Sequence, residues 1–182
     1  MVELIVVIVI AAIIVAFAVP SYQSVLIQDR MASEITDMSG DLQLARSAAV
    51  KEGVPVSICA SADATTTTPT CSGSDDWSTG WIIFTDPASS QNYASGAGMS
   101  LLRVHAGLQG GDVLTGSGGT PGAFGGSVSA FTFNRMGSAS SGAGVLSLHD
   151  SANTQARTRC AIVQRIGSVV INTESHNPGV CP

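Results

Sequence analysis

Charge is scarce in this sequence. Charged side chains make up 12% of its 182 residues, aromatics 5%, and the formal net charge is −5. An acidic balance this thin argues against a protein that wraps nucleic acid over its whole surface. No C-x-x-C pair occurs, so the spacing of a zinc site or a dithiol redox centre is absent. Nor is there a G-x-S-x-G, an H-E-x-x-H or a G-x-x-x-x-G-K-[ST] element. The histidines, His105, His149 and His176, are scattered without partners at a useful spacing. Glycine-rich stretches such as 116–126 lack a strand-to-helix frame and read as loop. These absences leave no catalytic site, no cofactor and no metal centre, so no enzyme is expected. Asp75, Asp76 and Asp86 near Trp77 offer oxygen ligands for calcium, but nothing resembles a twelve-residue calcium loop.

What is present is a run without any polar side chain or glycine, residues 4–19, with Glu3 in front of it and Pro20 behind. Three readings compete. A membrane-spanning helix needs about 20 apolar residues. A secretory signal would fit the Ala16-Phe17-Ala18 pattern but opens with Lys or Arg, and this chain opens Met1-Val2-Glu3. A core helix would carry one apolar stripe, whereas this run is apolar all round. The membrane helix fits best. Glu3 is then either a headgroup-level carboxylate or, as an acid beside the bilayer, a functional one.

The segment Val2-Glu3-Leu4-Ile5-Val6-Val7-Ile8 with its apolar continuation to Pro20 resembles the mature N-terminus of type IV pilins and type II secretion pseudopilins. In that family the fifth mature residue is a glutamate and a proline kinks the helix. Glu3 and Pro20 match them at the family's mutual offset, with Glu3 two positions nearer the start. The resemblance implies processing by a prepilin peptidase. It also implies that Glu3 pairs with the terminal amine of a neighbouring subunit, so Glu3 and Pro20 are assembly residues.

Beyond Pro20 a helix continues to residue 52. Met31, Ile35, Met38, Leu42, Ala45 and Ala49 recur in steps of three and four, one face of a helix packed on the following domain. Asp29, Glu34, Asp37, Asp41 and Arg46 fall on other faces. Gly53 with Pro55 ends the helix. Rod and stripe together make a helix of about 50 residues, on the order of 75 Å. Its first half then needs lipid or other subunits around it. From Gly53 the period becomes two. Strands are expected at 54–59, with Pro55 at an edge, and at 81–85, 100–105, 129–134, 144–149, 159–165 and 168–172, with long loops at 60–76, 87–98 and 106–126. The Thr65-to-Thr70 segment reads as a solvated loop. The expected fold class is α+β: residues 1–20 an anchor, 21–52 an amphipathic helix, 53–182 an antiparallel β head.

Four cysteines, Cys59, Cys71, Cys160 and Cys181, beside an exported anchor suggest two disulfides. Three connectivities are possible. Local pairing, Cys59–Cys71 with Cys160–Cys181, needs the least assumption and implies an oxidising compartment.

Leu44-Ala45-Arg46-Ser47-Ala48-Ala49-Val50, then Gly53-Val54-Pro55-Val56, then Trp77-x-x-Gly80-Trp81-Ile82-Ile83-Phe84-Thr85-Asp86, resembles the GspH/FimT/FimU branch of minor pilins. The long loops and residues 173–182 lie outside the resemblance. It implies a minor pilin, held in the inner membrane by one span with its head in the periplasm and then moved into an extracellular pilus, where it primes assembly or belongs to the tip. The implied partners are other minor pilins, the major pilin and the inner-membrane assembly platform. A GspH-like pseudopilin of type II secretion is the first alternative. A FimT-like DNA receptor for natural transformation is the second. FimT-like members bind DNA through a C-terminal G-R-x-R element. Here that place reads Gly167-Ser168-Val169-Val170, without either arginine. Arg157, Arg159 and Arg165 form a substitute patch only if they share a face; a solvated strand face is the simpler reading.

Overall fold

The computed structural model describes residues 2–120, 123–176 and 179–181, apart from the side chains of residues 17, 18 and 20. Among the described residues one α-helix, α1 (Val2–Glu52), precedes nine strands. Four form one antiparallel sheet: β1 (Val56–Ala60), β2 (Gly80–Thr85), β3 (Leu101–Ala106) and β6 (Ala130–Phe133), in the order β3-β2-β1-β6. Five form the other: β4 (Val113–Thr120), β5 (Ala123–Ser127), β7 (Gly144–His149), β8 (Arg159–Val163) and β9 (Val169–Thr173), in the order β5-β4-β7-β8-β9, also antiparallel. A 3₁₀ turn, Gln155–Arg157, leads into β8. This is the pilin-like α+β architecture.

The stripe Met31, Ile35, Met38, Leu42, Ala45 and Ala49 is fully buried. It packs in one core with Trp81, Ile83 and Phe133 of the first sheet and Leu146, Ala161 and Val163 of the second. The helix therefore lies across both sheets and joins them. It stops where Gly53 takes φ +69°, with its N–H donating to the Ala49 carbonyl at 3.1 Å; a left-handed residue there costs glycine little.

All six residues of β2 are buried. Trp81 and Ile83 face the helix-side core, while Ile82 and Phe84 face a second cluster with Cys59, Ala64, Tyr93 and Met99. The loops after β1 and β2 thus cover the outer face of the sheet. Two bonds fix them. The Cys59–Cys71 disulfide ties the first loop to β1. Buried Asp86 accepts hydrogen bonds from the Ser57 hydroxyl and the Ser90 and Gln91 N–H groups, which holds the second. Cys160–Cys181 ties the tail to β8.

Two expectations need correction. The 106–126 stretch contains the β4–β5 hairpin. Its glycines hide it: a Cβ at Gly116 would collide with the Val128 carbonyl and the Trp77 indole, so the strand is built from residues that carry little side-chain signal. Pro55 does not mark an edge, because it precedes β1, which lies between β2 and β6.

Candidate assembly surface

The helix divides by exposure. From Leu4 to Ile14 and on through Val15 and Val19, its described large aliphatic side chains project into open space, Leu4 at 65% and Ile14 at 62% exposed. The head covers none of this apolar stretch. Large apolar areas left bare mark surfaces that lipid or protein covers. Glu3 stands exposed at the front of it. The helical backbone continues through position 20.

Polar contacts fix the direction in which the rod leaves the head. At the near end Arg30 donates Nε and Nη2 to the two oxygens of Asp112, both at 2.8 Å. This bidentate fork fixes orientation as well as distance, and the hydrogen bonds to Asp112 raise the Arg30 pKa further above its ordinary value. One turn on, Glu34 Oε1 accepts the Gln109 N–H at 3.1 Å, while Glu34 Oε2 is buried with no hydrogen-bond partner. Burial, with Asp112 close by, pushes the Glu34 carboxyl up to about 7. Midway, buried Asp41 accepts the Trp81 indole N–H at 2.8 Å and meets Arg103 at 3.1 Å. Asp41 is thus no solvent-face residue, as helical spacing alone implies; it is a core carboxylate held by two partners. His105 stacks on Trp81 with ring centroids 3.9 Å apart. At the far end Arg46 donates to the Gly137 carbonyl at 3.0 Å.

The three arginines considered for an anion patch do not share a face. Arg157 lies in the 3₁₀ turn, not on a strand, and pairs with Asp150 at 3.0 Å. Burial pushes the Asp150 carboxyl up, but the Thr154 N–H and hydroxyl with Arg157 outweigh it and hold Asp150 below its usual range. Arg159 opens β8 and Arg165 sits in the turn beyond its end. At about 3.3 Å per residue the two are on the order of 20 Å apart. Of the candidate calcium acids, Asp86 is saturated by protein donors, Asp76 accepts the Ser78 N–H and Asp75 the Ser127 hydroxyl. Among the described residues no group of three or more His, Cys, Asp or Glu side chains converges as a metal site.

The chain is thus a bare apolar rod clamped to a two-sheet head. The family model described as type II transport protein GspH matches residues 34–167. The chain belongs to the GspH family. Among solved structures, this GspH-family chain is similar to the type IV minor pilin FimU of Pseudomonas aeruginosa, with a TM-score of 0.60 and 21% identity over 85% of this chain and 96% of that one. A second crystal form of FimU gives a TM-score of 0.58 at 21% identity, over 83% and 99% of the two chains. The minor pseudopilin EpsH from the type 2 secretion system of Vibrio cholerae gives 0.52 at 12% identity, over 79% and 97%. No match was found among curated protein sequences. At these identities the likenesses establish the fold. Members of the family are structural pilins.

Proposed function

We propose that this chain is a minor pilin, a low-copy structural subunit of a type IV pilus that primes assembly or belongs to the tip. The single observation that carries the proposal is the division of α1. One half presents a full apolar circumference to its surroundings, and the other buries one stripe in the head. Such a helix leaves the membrane only if other helices replace the lipid, which is what a fibre core provides. Residues 1–20 are the span and assembly rod, 21–52 the packed half and 53–182 the head. The head folds in an oxidising periplasm, in keeping with its two disulfides.

In this account Glu3 sets the register between subunits, because a carboxylate among apolar helices seeks a cationic partner, and the terminal amine of a neighbour supplies one. Pro20 removes one backbone N–H from the ladder and gives the rod a place to adjust. Replacement of Glu3 by alanine or glutamine should abolish incorporation into fibres while leaving membrane insertion intact. Normal incorporation of Glu3→Ala would defeat the assembly role.

Membership of the GspH family and the likeness to EpsH favour a second reading, a minor pseudopilin of type II secretion. The rod serves either fibre, so the fibre that contains the chain decides between them. DNA uptake is the weakest candidate, since Arg157 is engaged by Asp150 and Arg159 and Arg165 stand at opposite ends of a strand.

A further inference from the structure

Two turns of this head are near copies of each other. Asn134-Arg135-Met136-Gly137-Ser138 follows β6, and Gln164-Arg165-Ile166-Gly167-Ser168 follows β8. In the first, the Asn134 N–H donates to the Ser138 carbonyl and the Gly137 N–H to the Asn134 carbonyl; the second repeats both bonds between Gln164, Ser168 and Gly167. Gly137 and Gly167 take φ +78° and +80°. The turns lie side by side, with the Ala139 N–H bonded to the Arg165 carbonyl at 3.0 Å. A Cβ on Gly167 would overlap the Gly137 carbonyl, so glycine permits the contact. Each turn presents one arginine and one aliphatic tip. Met136 is 78% exposed and Ile166 69% exposed.

The end of α1 completes the surface. Arg46 holds the first turn, and Val50, 54% exposed, lies against Gly137. Lys51 follows it, and Glu52 is the acid nearby. Of the five Lys and Arg side chains that form no ion pair among the described residues, Arg46, Lys51, Arg135 and Arg165 stand here and Arg159 stands at the other end of β8, whereas Arg30, Arg103 and Arg157 are paired. Unpaired cations therefore gather where bare aliphatic tips also gather. Nucleic acid does not explain the tips, for among the described residues no exposed aromatic side chain of these turns is there to stack on bases.

The opposite end of the packed helix carries the complement. Asp29, exposed and without an ion pair among the described residues, stands there, and Asp37, equally exposed and unpaired, lies two turns on, toward the middle of the packed helix. Val25 and Leu26, each about half exposed, lie just before Asp29. Between Asp29 and Lys51 the helix rises about 33 Å. One end of the head is thus basic and aliphatic, and the other, beside the rod, is acidic and aliphatic. Opposite patches at opposite ends suit heterologous, head-to-tail contact, which extends into a fibre.

We propose that the paired turns 134–138 and 164–168 dock the acidic, aliphatic shoulder of an adjacent pilin-type subunit, the counterpart of the shoulder that this chain carries at Val25, Leu26 and Asp29. The inference deepens the minor-pilin reading and rests on it. The arginines select and orient the neighbour, and Met136 and Ile166 supply the apolar contact at the centre.

The test places a photo-crosslinking phenylalanine analogue at position 136 of the full chain in fibre-producing cells and maps the adduct by mass spectrometry. The expected adduct lies on another pilin-type subunit, in a helical segment flanked by Asp or Glu. The double variant R135E/R165E should lower its yield about tenfold, and R135K/R165K should restore it, because charge complementarity and not bulk is removed. Both arginines are exposed and bear no structural bond through their side chains, so the variants keep the fold, and intact disulfides verify it. Adducts with nucleic acid or lipid alone, a protein adduct indifferent to R135E/R165E, or no adduct from chains present in fibres would each overturn the proposal. Should the adduct form with a secretion subunit and the chain be missing from pili, the pilus reading fails while the docking surface stands.

Discussion

Removal of Arg30 offers a sharp test of the junction between rod and head. Asp112 is fully buried at its side chain, and Arg30 is 32% exposed. Arg30→Met leaves the Asp112 carboxylate without its bidentate partner and beside Glu34. Breaking a buried pair from one side costs about 3–5 kcal/mol; the partial exposure of Arg30 brings the expectation down to roughly 2–3 kcal/mol. The loss should depend on pH in a defined direction. With Arg30 gone, two neighbouring carboxyls share a poorly solvated site, and the folded state retains a proton that the unfolded chain releases. Stability then falls as pH rises, so the deficit should be large at pH 8 and shrink below pH 5. The double variant R30M/D112L, which strands no charge, should be more stable than R30M alone. Urea titration of the full chain in detergent, followed by near-ultraviolet circular dichroism, reads this directly, because Trp77 and Trp81 are both fully buried. A deficit for R30M below about 0.5 kcal/mol that is flat across pH would mean that Arg30 does not hold a buried Asp112 carboxylate in place.

Other outcomes follow from the same contacts. Glu34→Gln should raise stability near pH 8 by about 1 kcal/mol, after discount for the exposure of the site. The sign follows from a folded pKa raised from 4.5 to about 7. Wild-type stability is lost as pH climbs through that window, and the variant's profile should lack that loss. Leu42→Ala, in the middle of the buried stripe, should cost about 2–5 kcal/mol by the same titration. Replacement of both Cys59 and Cys71 by serine opens a loop with a sequence separation of 12; the expected loss is roughly 3 kcal/mol. Gly167→Ala should destabilise the head and separate the paired turns, visible as faster amide exchange at Gly137 and Ala139, whose N–H groups bond within and between those turns.

Much of the fold can be read from the sequence where a periodic side-chain signal exists. The stripe from Met31 to Ala49 recurs at helical spacing because one face must meet the core, and all six of its side chains are buried. The strands at 81–85 and 144–149 are apolar enough to stand out, and they form β2 and β7. The β4–β5 hairpin escapes because its strands are rich in glycine, which carries no side-chain pattern; at Gly116 the close approach of Trp77 and Val128 leaves no room for a side chain. Asp41 escapes for another reason. Helical spacing assigns it to solvent, and only the fold brings Trp81 and Arg103 within reach of its carboxylate. The paired turns at 134–138 and 164–168 are visible as a repeated Arg-aliphatic-Gly-Ser element, but their adjacency is a product of sheet order. For the arginines the converse holds: Arg157 and Arg159 would share a face only on a strand, and residue 157 lies in a 3₁₀ turn.

A minor pilin has to be built into a type IV pilus and not only into some other fibre. Quantitative mass spectrometry of pili sheared from the cell surface, with the membrane fraction measured in parallel, tests it most directly. The chain should appear in sheared pili, far below the major subunit in amount, and be lost from them when Glu3 is replaced by alanine. Recovery only from the membrane fraction, with pili otherwise intact, would contradict it.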